Sequence, residues 1–317
     1  MTARVELKQI YKTYTRRKWL LSKGESVPVL KDVSLTISQN CVVGLVGESG
    51  CGKSTLCKVL LGIERPTSGT VLVNGQDISQ LDRAGQKNVC RQMQVVYQDP
   101  YSSLDPRMTV RQLLSEPLDI HGLYPDKKKR EQFLKKLLAD VGLSDTYLER
   151  YPHEFSGGQR QRICIARALA LDPQILVADE PVSALDVSVQ AQILNLIRDI
   201  KRTRKLSVLF VTHDLAVARF LCDDIAVMYQ GRIVEQAPAQ ALLDGPLHPY
   251  TKTLLAAVPQ VGKPVGEVIA PAENKPGSTE GCAFAPRCSK ATDACRQAAP
   301  ELQEITPGHR AACVQIK

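Results

Sequence analysis

The fold of this chain is decided by one stretch, Gly47-Glu48-Ser49-Gly50-Cys51-Gly52-Lys53-Ser54. A short apolar run, Cys41-Val42-Val43-Gly44-Leu45-Val46, comes directly before it and predicts a buried strand. Residues 54–61 continue with apolar side chains at helical spacing. A glycine-rich loop between a strand and a helix turns its backbone N–H groups towards phosphate oxygens. The stretch therefore predicts an α/β fold that binds a nucleoside triphosphate.

A second predicted strand ends in acidic residues. The apolar run at residues 175–178 is followed by Asp179 and Glu180, and an aspartate after such a strand holds Mg²⁺ in phosphate-loop proteins. Two more apolar runs, 207–212 and 225–229, follow at helix-length intervals. This alternation predicts a parallel sheet with crossover helices. The segment 105–165 has helical patterning, which predicts a helical insertion ahead of Asp179.

The composition is that of a globular protein. The 317 residues are 44% hydrophobic and 23% charged, with a net charge of +8. No apolar run approaches the length of about 20 residues that spans a bilayer, and residues 1–8 contain no cleavage signal, so we expect a native cytoplasmic N-terminus. The basic runs 16–18 and 127–130 have no interleaved aromatic residues. We therefore expect no nucleic-acid partner; these runs fit a solvated surface or one that faces anionic lipid.

A further motif narrows the class of nucleotide-binding protein. Ser156-Gly157-Gly158-Gln159 resembles the signature motif of ATP-binding cassette (ABC) ATPases, which one subunit presents to the nucleotide of a second subunit. Longer segments resemble the dipeptide, oligopeptide and nickel importer ATPases, and among these the second, F-type ATPase of dipeptide importers. The segments that carry this resemblance are 98–106, 150–155, 178–188, 248–251 and 281–288.

The resemblance implies a domain organisation. It implies a RecA-like core with a parallel sheet, an antiparallel β subdomain and an inserted α-helical subdomain at about 105–165. The ATPase domain is expected to cover residues 1–250, and an oligopeptide-transporter-type extension residues 251–317. Proline and glycine are dense from Pro259 to Gly281, which predicts a linker before a small cysteine-rich tail.

The resemblance also implies roles for individual residues. Glu180 is expected to be the general base, His213 to contact the γ-phosphate, and Gln98 to contact Mg²⁺ and the attacking water. Asp186 is expected to lie in the loop that communicates between paired sites. The expected Mg²⁺ ligands are Ser54, Gln98 and Asp179. The expected ATP-binding residues are Tyr14, Gly47, Glu48, Ser49, Gly50, Cys51, Gly52, Lys53, Ser54 and Thr55.

Three expectations about binding residues have a chemical rationale. Lys53 is expected to reach the β- and γ-phosphates as a positive point charge. Tyr14 is expected to stack on adenine, although Tyr11 and Trp19 are alternatives for that role. Ser156 is expected to cap the helix that follows it and to face the γ-phosphate held by the partner.

The implied function is that of a motor subunit. ATP hydrolysis would power peptide import, together with a paralogous ATPase in a heterodimer, two transmembrane permease subunits and an extracytoplasmic solute-binding protein. Such a subunit lies peripherally on the cytoplasmic face of the inner membrane. Nickel, other metal chelates and heme remain alternative cargoes. A chromosome- or ribosome-associated ABC ATPase is a remote alternative, and the intact motifs argue against a non-catalytic regulatory subunit.

Four cysteines crowd the tail: Cys282, Cys288, Cys295 and Cys313. They are separated by five, six and seventeen residues, whereas paired zinc ligands usually have two to four residues between them. Some relatives carry a four-iron four-sulfur cluster in this region, and four thiolates suit it. The resemblance thus implies a 4Fe-4S cluster, with zinc and unliganded thiols as alternatives.

Overall fold

The computed structural model describes residues 3–16, 25–257 and 281–316. The strands are β1 (Ala3–Arg16), β2 (Glu25–Ser38), β3 (Val42–Val46), β4 (Ser68–Val73), β5 (Gln76–Asp77), β6 (Met93–Val96), β7 (Ile175–Asp179), β8 (Ser207–Thr212), β9 (Asp224–Tyr229), β10 (Arg232–Pro238), β11 (Gln303–Thr306) and β12 (His309–Ala311). The helices are α1 (Lys53–Leu60), α2 (Arg83–Gln92), α3 (Pro100–Ser103), α4 (Val110–Ile120), α5 (Lys127–Asp140), α6 (Gly157–Leu169), α7 (Val187–Arg204), α8 (Leu215–Leu221), α9 (Ala239–Asp244), α10 (Pro249–Ala256) and α11 (Ala294–Gln297).

The chain divides into two compact units, and each is described by itself. The phosphate-loop unit comprises residues 5–36, 42–75 and 212–317, and the signature unit comprises residues 1–4, 37–41 and 76–211. No helix in the described part of the chain is both long and apolar enough to cross a membrane.

The phosphate-loop unit contains a mixed sheet. Strand β3 pairs in parallel with β9, and β9, β10, β12 and β11 pair antiparallel in that order. All five residues of β3 are buried, as its continuous apolar sequence predicts. A separate antiparallel sheet has the order β2-β1-β4, with Val5 opposite Val73. It agrees with the expected antiparallel β subdomain.

The signature unit combines three parallel strands with helices. Strand β7 pairs in parallel with β6 on one side and β8 on the other, with Val96 opposite Ala178 and Asp179 opposite Val211. Helices α4, α5 and α6 lie between β6 and β7 in the chain, as the helical insertion predicts. Their contact surfaces bury leucine and isoleucine side chains, among them Leu113, Leu138 and Ile163.

The C-terminal tail has structure that the sequence did not indicate. Strands β11 and β12 form a hairpin, and β12 extends the sheet of the phosphate-loop unit through β10. Glu235 of β10 is fully buried, and its carboxylate accepts the Leu247 and His248 N–H groups at 2.7 and 2.8 Å. The His309 ring Nε2 lies 2.7 Å from the same carboxylate. These polar contacts satisfy a buried acid and attach the tail to the sheet.

Candidate nucleotide site

The phosphate loop has the geometry of a phosphate cradle. A Cβ atom on Gly47 would lie 2.2 Å from the carbonyl oxygen of Met228, so only glycine fits at the end of β3. Gly52 has a φ of 113°, a conformation that L side chains rarely adopt. Helix α1 begins at Lys53, immediately after Gly52. The backbone N–H groups of the loop therefore lie at the N-terminus of α1, where the helix dipole stabilises an anion.

Lys53 is held within this loop. Its side chain is buried, and Nζ donates hydrogen bonds to the carbonyl oxygens of Gly47 at 2.7 Å and Glu48 at 3.1 Å. The ammonium group is thus fixed beside the N–H groups of the loop rather than extended into solvent. Ser54 follows it in the first turn of α1 and is exposed. Residues Ser49 and Gly50 are exposed as well, which leaves the outer face of the loop open.

Tyr14 contacts the helix that follows the loop. Its hydroxyl hydrogen-bonds to the side chains of Glu64 and of Thr55, and burial raises its pKa. The Lys12 ammonium lies 4.9 Å from the centre of the Tyr14 ring. Tyr11, the alternative, is 40% exposed and lies on the same strand, and Trp19 lies outside the described residues.

The carboxyl ends of β6 and β7 place three predicted site residues on the signature unit. Gln98 is exposed two residues beyond β6, and Asp179 is the last residue of β7. Because Val96 pairs with Ala178, these ends lie at the same edge of the parallel strands. Glu180 follows Asp179 and is half-buried. His213, exposed, directly follows β8 and is counted with the phosphate-loop unit.

Glu180 has an unusual backbone conformation. Its φ is +46°, in the left-handed region that is uncommon for a residue other than glycine. Its N–H donates to Val211 O at 3.0 Å, and its carbonyl accepts the Ser183 hydroxyl at 3.1 Å. Strand alternation predicts that Glu180 points to the side opposite Asp179. Because β7 ends at Asp179 and the chain turns left-handed, alternation does not set the direction of Glu180.

The signature motif forms a helix N-terminus. Ser156 caps α6 as expected, with its hydroxyl accepting the Gln159 N–H at 3.4 Å and its own N–H donating to Gln159 Oε1 at 3.0 Å. A Cβ on Gly158 would lie only 2.5 Å from Val189 Cγ1. The second glycine is thus required for the close packing of α6 on α7. Asp186, exposed, occupies the position just before α7.

Arg160 links α6 to two neighbouring segments, α3 and the 3₁₀ turn Pro152–Glu154. Its Nε donates to Pro152 O at 2.6 Å, and its guanidinium lies 3.9 Å from the Tyr101 ring centre. Tyr101 is otherwise 65% exposed and follows Gln98 by three residues. The start of α6 and the segment after Gln98 are therefore in direct contact.

The predicted site residues are divided between the two units. The phosphate-loop unit holds Tyr14, Gly47 to Thr55 and His213, and the signature unit holds Gln98, Ser156 to Gln159, Asp179, Glu180 and Asp186. Within the phosphate-loop unit Tyr14 contacts Thr55, and within the signature unit Gln98 and Asp179 lie at the ends of neighbouring strands. Their catalytic roles stay predictions.

The four tail cysteines line one small cavity, together with Phe284 and His248. Burial raises the pKa of Cys282 and of Cys313. Within the described residues, however, no group of three or more His, Cys, Asp or Glu side chains is arranged to hold a metal ion. The expected cluster is therefore not supported by a formed ligand shell, although all four thiols share one cavity.

Comparisons with known proteins agree with this geometry. A family model described as "ABC transporter" matches residues 30–183, and one described as "Oligopeptide/dipeptide transporter, C-terminal region" matches residues 234–295. The oligopeptide transport ATP-binding protein AppF of Bacillus subtilis is 43% identical over 98% of this chain and 96% of its own length. The chain belongs to the ABC transporter family.

Other relatives support the same assignment. The dipeptide transport ATP-binding protein DppF of Haemophilus influenzae is 44% identical to this ABC protein, over 96% of this chain and 94% of its own. The ATP-binding cassette MJ0796, solved as a dimer in a post-hydrolysis state with ADP and Pi, is 30% identical with a TM-score of 0.65. It covers 74% of this chain and 98% of its own. The chain is thus an ATPase with the ABC nucleotide-binding fold, in which ATP and Mg²⁺ are the expected ligands.

Sequence reasoning missed two residues that contact the phosphate loop of this ABC protein. The Arg287 guanidinium pairs with the Glu48 carboxylate, and Tyr250 Oη accepts the Glu48 N–H. Both lie in segments that carry the family resemblance, 248–251 and 281–288, but no local pattern gives either a role. Arg287 and Tyr250 lie 239 and 202 residues from Glu48 in the sequence, so local sequence patterns do not indicate these contacts.

Proposed function

We propose that this chain is the ATP-hydrolysing subunit that powers import of di- or oligopeptides across the cytoplasmic membrane. One observation carries the proposal: the chain matches peptide transport ATP-binding proteins over nearly its whole length. The intact phosphate loop agrees with it. The relatives' names favour peptides over nickel, other metal chelates or heme as cargo. Both family-model matches fit a transporter motor rather than a non-transport ABC ATPase.

The proposed chemistry divides the residues by role. Lys53 and the loop N–H groups bind the phosphates, while Tyr14 stacks on adenine. Ser54, Gln98 and Asp179 hold Mg²⁺, the ion that neutralises charge on the phosphates. Glu180 takes the proton of the attacking water, with His213 at the γ-phosphate. The left-handed turn at Glu180 and the burial of Lys53 support this assignment, since backbone strain and buried charge concentrate at functional sites.

The proposed assembly needs other chains. An ABC importer ATPase works with transmembrane permease subunits, and we propose a second, paralogous ATPase and an extracytoplasmic solute-binding protein as further partners. The chain would lie peripherally at the inner membrane. Ser156, Gly157, Gly158 and Gln159 would act on the partner's ATP, and Asp186 would communicate between the sites. The dimeric state of MJ0796 supports a paired arrangement.

We propose the domain division 1–250 and 251–317, with the helical subdomain at about 105–165. In the extension, Cys282, Cys288, Cys295 and Cys313 would hold a 4Fe-4S cluster. The four thiols and their shared cavity support the cluster. The described residues do not form a group arranged to hold a metal ion, which argues against it. When bound, such a cluster supplies covalent cross-links and a redox centre.

The experiment is reconstitution. The chain, its permeases, the second ATPase and the solute-binding protein are placed in liposomes, and ATP-dependent uptake of labelled di- and oligopeptides is measured. Wild-type protein should transport peptide, and the Lys53→Ala protein should not, because the phosphates lose their fixed positive charge. ATP-dependent uptake of nickel or heme with no peptide uptake would contradict the proposed cargo.

A further inference from the structure

Glu48, the second residue of the phosphate loop, is held by two residues distant in sequence. The Arg287 guanidinium donates two hydrogen bonds to its carboxylate, NH1 to Oε2 at 2.9 Å and NH2 to Oε1 at 3.1 Å. The Glu48 N–H donates to Tyr250 Oη at 3.0 Å. The carbonyl oxygen of Glu48 in turn accepts Lys53 Nζ at 3.1 Å. One loop residue therefore joins the tail, α10 and the lysine expected to bind phosphate.

The groups that hold Glu48 are themselves rigidly placed. Tyr250 is fully buried, with its ring centre 4.5 Å from that of Tyr229 and 5.4 Å from that of Phe284. The Arg287 side chain is 11% exposed, and its guanidinium lies 5.7 Å from the Phe284 ring centre. Because a planar guanidinium buried beside aromatic rings has few alternative positions, the Arg287 contact is a fixed part of the site.

The ion pair between Arg287 and Glu48 affects the electrostatic repulsion between the loop and a bound triphosphate. Glu48 is anionic and belongs to the loop that takes up a triphosphate, so an unpaired carboxylate there would repel the ligand. Arg287 is always charged and neutralises Glu48 through two charge-assisted hydrogen bonds. The pair lies partly out of water, where screening by salt and solvent is reduced.

We propose that Arg287 and Tyr250 are positioning residues for ATP binding: they hold the phosphate loop through Glu48, and Arg287 cancels the Glu48 charge. The inference rests on the proposed role of the loop in ATP binding. It makes the C-terminal tail a determinant of nucleotide affinity. Arg287 lies directly before Cys288, in the short 3₁₀ turn Ala285–Arg287, so the tail reaches the loop through the cysteine-bearing segment.

The test measures binding of a non-hydrolysable ATP analogue with Mg²⁺ to the full chain by calorimetry. Arg287→Met should raise the Kd about 3- to 10-fold, the range expected for losing a partly buried charge-assisted pair. Arg287→Lys, which keeps the charge, should raise it less. The increase in Kd caused by Arg287→Met should be smaller in high salt, because salt screens the repulsion between Glu48 and the triphosphate. Arg296→Met is the matched control, because Arg296 forms an exposed tail ion pair with Asp293.

A second variant separates positioning from folding. Glu48→Gln removes the charge that Arg287 neutralises, so Glu48→Gln/Arg287→Met should bind within about twofold of Glu48→Gln alone. A purely structural role for Arg287 predicts no such rescue. Tyr250→Phe leaves the Glu48 N–H without its acceptor and should weaken binding without changing the salt dependence.

The outcomes distinguish this inference from the proposed function. If Lys53→Ala abolishes binding while Arg287→Met binds like Arg296→Met, only the inference is wrong. If Lys53→Ala binds normally, the proposed role of the loop is wrong. If Arg287→Met fails to fold, the Arg287→Lys protein and the double variant are measured instead. An equal loss of affinity for the ATP analogue at low and high salt in both proteins would overturn the inference.

Discussion

Replacing Gly158, the second glycine of the signature, with alanine should lower the stability of the protein, because the added methyl group would clash with Val189. A Cβ at Gly158 lies 2.5 Å from Val189 Cγ1, and 3.8 and 3.9 Å from Cβ and Cγ2. Carbon atoms in contact lie about 3.5–4.0 Å apart, so α6 and α7 must separate by about 1 Å. A valine in a helix has one strongly preferred rotamer, and Cγ1 therefore cannot swing aside.

The magnitude follows from two opposing effects. Overpacking of this kind costs about 1–3 kcal/mol, while alanine in place of glycine within a helix returns up to about 1 kcal/mol. We expect Gly158→Ala to lower the free energy of unfolding by about 1–2 kcal/mol. Gly157 provides the matched control, because its Cβ would meet Leu185 Cδ2 at 3.4 Å, close to ordinary contact. Gly157→Ala should be neutral or slightly stabilising.

Urea unfolding of Gly158→Ala, Val189→Ala and the double variant measures the coupling. Val189→Ala removes the clashing methyl group, so the pair should show a favourable coupling energy of about 1 kcal/mol. Stability in Gly158→Ala equal to that in Gly157→Ala, or strict additivity in the double variant, would refute the steric argument. ATPase measurements on the assembled complex then distinguish the packing role of Gly158 from a role at the partner's nucleotide. The double variant restores the packing, so an ATPase defect that persists in it reports the second role.

Three further predictions concern chemistry, stability against pH and the tail. Glu180→Gln should lower ATP turnover in the assembled complex by orders of magnitude yet keep nucleotide binding, since only the base is lost; near-normal steady-state hydrolysis would remove Glu180 from that role. Burial lowers the pKa of His248 to about 4, so only the unfolded chain takes up a proton as pH falls from about 6.5 towards 4, and stability should fall by up to about 3 kcal/mol over that window. In His248→Asn, whose side chain can still cap α10, urea midpoints at pH 7.5 and pH 5 should differ less than in wild type. The proposed 4Fe-4S cluster predicts that anaerobically purified protein absorbs at about 400 nm, as thiolate-bound iron does, and that Cys288→Ser loses this absorbance; colourless protein with stoichiometric zinc would contradict the cluster and indicate a zinc site.

The sequence predicts the parts of the fold that depend on local pattern. The apolar run ending at Val46 and the glycines after it predict β3, the loop and the start of α1, because buried strands and left-handed glycines are local requirements. Ser156 and Gln159, three residues apart, likewise predict the capping box of α6. In each case the atoms that satisfy the requirement lie within a few residues.

Features that depend on distant residues could not be predicted in this way. The left-handed turn at Glu180 places its N–H 3.0 Å from the carbonyl oxygen of Val211, a residue on β8 that only the folded sheet brings near. The β11–β12 hairpin occurs in a tail with few apolar residues, where strand patterning is weak. The contact between Glu48 and Arg287 spans 239 residues of sequence. Charge complementarity at such a distance leaves no periodic signal.

The long-range polar contacts give the tail a structural role of its own. Glu235 is fully buried and lies 2.7 Å from the His309 ring, and Glu48 is paired with Arg287. Removing one partner of a buried or partly buried charge leaves the other without compensation, which costs more than the pair itself stabilises. His309 contacts an acid of the sheet, Glu235, and Arg287 contacts an acid of the phosphate loop, Glu48. The tail therefore contributes to the packing of the phosphate-loop unit, and the proposed role of Arg287 implies that a change in tail packing alters the loop through the contact of Arg287 with Glu48.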